Sequence, residues 1–156
     1  MSGQLNFPDG QPFATGAIPY TVGGVQDSAA ERLMIKLWVE NVSIVAAVDT
    51  GAPYVICPPD LAAPLEPYCT DLLGEARLQI RGVAYRGKLY LLSVTFEASQ
   101  GEDLRTLATV FIPQLDPWQT WELPSFVGLT GMLDRLRFAV DPDASLFYFG
   151  PLGGTI

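Results

Sequence analysis

Residues 43–52 are Ser43-Ile44-Val45-Ala46-Ala47-Val48-Asp49-Thr50-Gly51-Ala52, the most informative stretch of this sequence. Its uncharged apolar run ends abruptly in an acid, a hydroxyl and a glycine. The pattern predicts a buried strand that delivers the Asp49 carboxylate into a tight turn. Because a carboxylate loses its hydration there, it needs hydrogen bonds or a charged partner, and its presence requires a reason. One such reason is catalysis.

A second predicted strand comes just before this stretch. From Leu33 the apolar residues alternate with other residues up to Val39, which is the period of a strand with one buried face. Glu40-Asn41 then turns the chain. Residues 33–49 therefore predict a hairpin, and its second strand, apolar throughout, is expected to be buried on both faces.

A second motif lies downstream at Phe126-Val127-Gly128. It is followed by apolar residues at helical spacing, namely Leu129, Met132, Leu133 and Leu136. This spacing predicts a short helix directly after the glycine. The rest of the chain alternates in the manner of strands, so the sequence predicts a mostly β protein, which suits a small closed β-barrel.

Together the two motifs resemble those of retropepsin-like aspartic proteases, the single-domain retroviral type. The apolar run into Asp49-Thr50-Gly51-Ala52 resembles the active-site signature, and Phe126-Val127-Gly128 resembles the second motif, over about residues 33–150. The resemblance implies an all-β fold, a small closed acid-protease-type barrel with a flap hairpin and one short helix. It also implies that the second motif crosses beside the catalytic turn and closes a ψ-shaped loop.

The resemblance implies roles for the residues of both motifs. Asp49 is the expected catalytic carboxylate, Thr50 supports it by hydrogen bonds across a dimer axis, and Gly51 lets the backbone approach closely. Ala52 offers backbone polar groups to substrate without a bulky side chain. Gly128 is counted among the substrate-binding residues and is expected to lie against the catalytic turn, where a Cβ would clash. The alternative for Asp49 alone is a structural acid that caps its own turn.

The expected flap is a long hairpin between the two motifs. Its predicted strands are residues 76–81 and 88–97, and Gly82 and Gly87 bracket the tip, with Tyr85 between them. A flap closes over the peptide and excludes water. The chain departs from the viral pattern because it lacks a glycine-rich tip. Tyr85 is therefore either a substrate contact or an exposed tyrosine on a surface hairpin.

An aromatic loop precedes the second motif and contains Trp118 and Trp121. In a retropepsin-like fold this loop borders the substrate groove, where both tryptophans would form side-chain pockets. The alternative is that they belong to the core or to a subunit interface.

Peptide hydrolysis by this route needs two carboxylates that share a proton. The chain has one Asp-Thr-Gly, and its other acids lie in polar turns or on a predicted helix face. The second carboxylate is therefore expected from a second copy of the chain, in a two-fold homodimer. One departure concerns that interface: Leu129 follows the motif glycine, where the viral enzymes usually have an arginine.

Composition limits the other possibilities. At 156 residues the chain is one domain by size, with an N-terminal extended arm predicted at 1–30 and the protease-like domain at 31–156. A net charge of -8 argues against nucleic acid as a partner. The absence of histidine removes Ser-His and Cys-His catalysis and the commonest zinc ligand, so no metal and no cofactor are expected.

The sequence has no apolar run long enough for a membrane helix and no secretory leader, so the cytoplasm is the expected compartment. Cys57 and Cys69 are either free thiols or a disulfide pair. The predicted function is an aspartic endopeptidase that hydrolyses extended peptide or protein segments as a homodimer. The alternative is a noncatalytic retropepsin-like barrel that serves as a dimerisation or peptide-binding module.

Overall fold

The computed structural model describes residues 5–24 and 31–153. These ranges contain fourteen strands and a few short helical turns. In chain order the strands are β1 (Leu5–Asn6), β2 (Pro12–Ala14), β3 (Gly16–Pro19), β4 (Thr21–Gly24), β5 (Glu31–Val39), β6 (Val42–Val48), β7 (Val55–Ile56), β8 (Leu72–Ile80), β9 (Val83–Phe96), β10 (Gln100–Gly101), β11 (Leu104–Pro113), β12 (Ser125–Val127), β13 (Leu136–Asp141) and β14 (Leu146–Pro151).

The helical elements are short. Helix α1 (Ala62–Leu65) lies between two 3-10 turns, Pro59–Leu61 and Glu66–Tyr68, and a third 3-10 turn spans Leu133–Arg135. The predicted all-β class is confirmed. In the part of the chain that the structure describes, every helix is too short to cross a bilayer.

Eight strands form the main sheet, in the order β4-β5-β6-β12-β7-β11-β9-β8. Strand β5, second in this order, also pairs with β9, which is second from the other end, through Trp38–Thr95 and Val39–Val94. Two pairs of neighbouring strands are parallel, namely β6 with β12 and β7 with β11. Strand β12, which contains Phe126 and Val127, therefore lies between the strand that leads into Asp49 and the strand that follows the Asp49 turn.

The N-terminal residues take part in all the sheets. Strand β3 pairs with β10 and β14 in a four-stranded sheet, while β4 pairs with β5 at the edge of the main sheet, and β1 pairs with β2. Ala14 and Ala17 are fully buried. Residues 5–24 are thus held against the rest of the chain, and the division at residue 31 stays a prediction.

Two hydrophobic clusters stabilise the fold. The larger one, here the main core, contains Leu37, Val94, Phe96, Phe147 and Phe149 among its members. The smaller one, here the second cluster, consists of Ala47, Ile56, Tyr85, Phe111 and Phe126, with partly buried neighbours.

Strand β6 contributes to both clusters, because successive side chains of a strand point to opposite faces. Ile44 and Ala46 lie in the main core and Ala47 lies in the second cluster. The prediction that this strand is buried on both faces is wrong for Ser43 and Val45, and the Val45 side chain is 56% exposed. The second cluster covers that face of β6 only at Ala47, near the end of the strand.

The prediction of a helix directly after Gly128 is also wrong. Only one 3-10 turn forms there, and Leu136 already begins β13. Gly131 has φ +78° and its N–H donates to Asp134 Oδ1 at 2.9 Å, so the chain turns sharply where a helix would continue. Leu133 and Leu136 are buried all the same, because this compact turn directs them into the main core.

Candidate active site

The backbone fixes Asp49 directly after β6. In the parallel ladder Val127 lies opposite Val48, and the Asp49 N–H donates to the Val127 carbonyl at 2.9 Å, one step beyond the strand. The second motif therefore positions the first motif through main-chain hydrogen bonds. Asp49 itself is half-buried.

The turn after Asp49 folds back on its own carboxylate. The Gly51 N–H donates to Asp49 Oδ1 at 3.0 Å, and the Ala52 N–H donates to the Asp49 carbonyl at 3.1 Å. A Cβ on Gly51 would lie 3.2 Å from Asp49 Oδ1, which is tight. Thr50 and Gly51 are exposed at the tip of this turn.

Gly128 lies against the far side of the same turn. Its N–H donates to the Tyr54 carbonyl at 2.7 Å, and the Leu129 N–H donates to the Ala52 carbonyl at 2.7 Å. A Cβ at Gly128 would collide with the Ala52 carbonyl oxygen and would lie 2.6 Å from the Pro53 carbonyl carbon. The close approach predicted for Gly128 is confirmed, whereas a role in substrate binding stays a prediction.

A pocket of about 250 Å³ opens beside the Asp49 turn. The turn itself and the end of β8, with its adjoining residue Arg81, line this pocket. Ile56 and Phe126 of the second cluster also line the pocket. Its lining residues are Arg32, Asp49, Gly51, Ala52, Pro53, Ile56, Leu78, Gln79, Ile80, Arg81 and Phe126.

The tip of the β8–β9 hairpin is not where the sequence placed it. The strands are joined by Arg81-Gly82, both with positive φ, 51° and 79°, so the turn is tight. Gly87 lies inside β9, where a Cβ would lie 2.5 Å from the Ile112 carbonyl oxygen. Gly87 thus permits a close approach between strands rather than a bend.

Tyr85 is consequently absent from the tip. It is 6% exposed, belongs to the second cluster and packs edge-to-face on Trp121, with 4.9 Å between ring centroids. The alternative of an exposed surface tyrosine is wrong. Trp121 is partly buried against the same cluster, which agrees with the core alternative for this residue.

Trp118 lies apart, with its side chain 79% exposed. Tyr85, Trp118 and Trp121 are not among the described residues that line the Asp49 pocket. The aromatic loop is fastened to β9 by the Arg86–Asp116 ion pair and by a hydrogen bond from Gln119 Nε2 to the Ala84 carbonyl. Any contact of these aromatic residues with a substrate stays a prediction.

The pocket residues that the sequence did not identify are Arg32, Pro53, Ile56 and the end of β8. A signal for Arg32 was present: it lies on β5, two residues before Met34, which pairs with Ala47 two residues before Asp49. Extending the alternation of both strands would have placed Arg32 on the same side as Asp49.

Metal-binding side chains are not grouped in this fold as far as it is described: no three of the His, Cys, Asp and Glu residues there lie close enough to share an ion. Cys57 and Cys69 are free thiols. Among the described residues, the charged side chains that line the pocket are Asp49, Arg32 and Arg81.

No protein-family model and no curated protein sequence matches the chain. Among solved structures, it is similar to a retropepsin-like aspartic protease from Rickettsia conorii, with TM-score 0.47 and 21% identity over 85% of this chain and 96% of that chain. It is also similar to the retroviral protease-like domain of Ddi1 from Leishmania major, with TM-score 0.46 and 18% identity over 78% of this chain and 94% of that chain. By its two motifs, and among solved structures, the chain resembles the retropepsin-like aspartic proteases.

Proposed function

We propose that this protein is an aspartic endopeptidase that works as a homodimer, with Asp49 of each copy forming the catalytic pair. The observation that carries the proposal is the place of Asp49. It directly follows a strand, is held by hydrogen bonds from the second motif and its own turn, and lines a pocket together with the end of β8.

The reaction needs two carboxylates in different protonation states. One carboxylate takes a proton from a water molecule, which attacks the scissile carbonyl carbon, while the protonated carboxyl donates a hydrogen bond to the carbonyl oxygen. Like charges a few ångströms apart cannot both ionise easily, so the pair holds one proton. Activity is therefore expected in acidic to mildly acidic solution.

A second copy of the chain would supply the second carboxylate. Asp49 is the one carboxylate that lines the pocket in residues 5–24 and 31–153. Thr50 and Gly51 are exposed beside it, so a two-fold axis near this turn would bring two such turns together without unfolding either. Thr50 would then support the pair from across the axis.

The β8–β9 hairpin is the proposed flap. The end of this hairpin lines the same pocket as the Asp49 turn, through Leu78, Gln79, Ile80 and Arg81. Strand β8 ends the strand order of the main sheet, so within the described ranges its outer edge has no partner strand. An extended peptide would add to that edge as a further strand and lie between hairpin and Asp49.

The cytoplasm stays the predicted compartment.

A second candidate function is a noncatalytic dimerisation or peptide-binding module. The hydrogen bond from the Gly51 N–H to Asp49 Oδ1 favours it, because an acid that closes its own turn has a structural reason to be there. Both candidates allow a peptide in the pocket, and they differ in whether the peptide is cut.

Cleavage of a denatured protein between about pH 3 and about pH 7 tests the proposal, at a concentration where sedimentation verifies dimers. The comparison is between the native chain, Asp49→Asn and Asp143→Asn. Asp143 is an exposed acid in the β13–β14 turn and serves as the matched control. We expect cleavage by the native chain and by Asp143→Asn but not by Asp49→Asn. A verified dimer that cuts nothing would leave the binding module as the function.

A further inference from the structure

Arg32 faces the Asp49 pocket from β5. The last pair of the β5–β6 ladder is Met34 with Ala47, and the same register continued by two residues places Arg32 opposite Asp49. Alternate residues of a strand share a face, so Arg32 and Asp49 lie on the side of the sheet that carries the second cluster. Both line the pocket.

The guanidinium of Arg32 has unused hydrogen-bonding capacity. Its Nε is buried without a hydrogen-bond partner, and no hydrogen bond or ion pair of this side chain occurs within the described ranges. An arginine offers five N–H donors in a fixed plane, and a buried donor without a partner costs free energy. A pocket ligand that brings acceptor oxygens to this place would recover that cost.

The surroundings favour a charged acceptor. Ile56, Leu78, Ile80 and Phe126 contribute apolar side chains to the lining of the pocket. The charged side chains on the described wall are Arg32, Arg81 and Asp49, and one member of an Asp49 pair would be protonated. Arg32 thus brings a positive charge to this pocket in a chain whose net charge is -8.

We infer that Arg32 determines specificity, so that the enzyme prefers peptide segments with an Asp or Glu next to the cleaved bond. A carboxylate matches the planar fork of a guanidinium and accepts two parallel hydrogen bonds, which the corresponding amide cannot do. The inference rests on the proposed function, because it places the peptide in the Asp49 pocket.

Matched peptides test this inference. Each pair differs only by Asp against Asn, or Glu against Gln, beside the cleaved bond. We expect kcat/KM to favour the acid by about tenfold near pH 6. Arg32→Gln should bring the ratio near one. Lys36→Gln removes a positive charge from the same strand outside this pocket and should leave the ratio unchanged.

The pH dependence of this preference gives an independent test of the inference. The Asp and Glu side chains of peptides have pKa values of about 4, whereas arginine stays charged, so the preference should disappear by about pH 3. A ratio near one in the native enzyme at pH 6 would overturn the inference while leaving the protease intact. Loss of the dimer in Arg32→Gln would also overturn it, because the guanidinium would then belong to the subunit contact.

Uncleavable peptides separate this inference from the proposed function. Pairs of analogues with a hydroxyl in place of the scissile amide are titrated into the native protein, and the Kd ratio of acid to amide is measured. A preserved ratio in a protein that cleaves nothing would overturn the protease and retain Arg32 as a peptide-selecting residue. Equal Kd values for acid and amide would overturn the role of Arg32.

Discussion

Gly128 is the residue that determines most directly how close the second motif comes to the Asp49 turn. We expect Gly128→Ala to destabilise the protein by several kcal/mol, because its Cβ would meet the main chain at Ala52 and Pro53, which cannot rotate away. Urea unfolding measures the loss. Activity should fall as well, since Ala52 follows Asp49 in the same turn.

Gly82→Ala is the control for this substitution. Gly82 has no heavy atom within 4 Å of an added Cβ, so only its positive φ opposes a side chain. The expected cost is about 1 kcal/mol. If Gly128→Ala cost no more than Gly82→Ala, the two segments would be further apart in solution than the hydrogen bonds of Gly128 indicate.

Cys57 should make stability depend on alkaline pH. Burial, with smaller contributions from Cys69 and Asp60, raises the pKa of the Cys57 thiol from 9.0 to about 12. Below about pH 9 the thiol is neutral in both the folded and the unfolded chain, so its contribution is intact. As pH rises from there toward 12, the unfolded chain loses the proton first, and unfolding becomes easier by up to about 1.4 kcal/mol per pH unit.

The measurement is the free energy of unfolding in urea at about pH 8 and about pH 10 for the native chain and for Cys57→Ala. The variant is expected to be less stable at both values because a buried side chain is shortened. It should nevertheless lose less on going to the higher pH. Equal losses in the two proteins would mean that Cys57 is hydrated in the folded state.

The β8–β9 hairpin shows where sequence reasoning succeeds and where it stops. Alternation predicted both strands, because a sheet with one covered face imposes a period of two. The tip was misplaced because a glycine indicates either a turn or a close approach. Gly82 has positive φ at the turn, whereas Gly87 makes room for Ile112 and Phe111 of the neighbouring strand β11. That distinction depends on a strand far away in sequence.

The same limit applies to the candidate site. Asp49 was predictable because an acid directly after an apolar strand is a local signature, whereas the place of Gly128 was implied by the resemblance of the second motif. Arg32 was missed because the predicted hairpin began at Leu33, and its position beside Asp49 appears only when the register of β5 and β6 is extended one residue beyond that start. Tyr85 was misjudged for the same reason that Gly87 was: the partner surface is built from β11, β12 and the aromatic loop.

The aromatic side chains below the hairpin give a stability prediction. Tyr85→Ala would open a cavity in the second cluster and remove the contact with Trp121, at a cost of about 3–5 kcal/mol. Trp118→Ala should change the free energy of unfolding by less than about 0.5 kcal/mol, because that side chain is 79% exposed. Urea unfolding of both variants checks the pair, and a Trp118→Ala loss as large as that of Tyr85→Ala would show that Trp118 is covered in solution, as in a subunit interface.

At the level of the whole molecule, one copy of the fold supplies one of the two carboxylates that the proposed reaction needs. The main sheet fixes one carboxylate, its turn and one hairpin, and a two-fold partner would repeat all three. The closed barrel and the dimer both stay predictions. A shared site has a consequence that a self-sufficient site lacks: activity depends on which chains are paired, as well as on how many are present.

Mixing active and inactive chains measures that dependence. Asp49→Asn keeps the shape of the side chain and an oxygen that can accept the hydrogen bond from the Gly51 N–H. After equal amounts of native and Asp49→Asn chains are dissociated and allowed to reassociate, about one quarter of the dimers would contain two native chains. Activity per native chain should then fall to about half, since a mixed pair has a single carboxylic acid and cannot divide the roles of acid and base. Mixing with Asp143→Asn, whose substitution lies in an exposed turn, should leave the activity per native chain unchanged. If Asp49→Asn also leaves it unchanged while sedimentation shows full exchange of subunits, each chain contains a complete site and the shared pair is wrong.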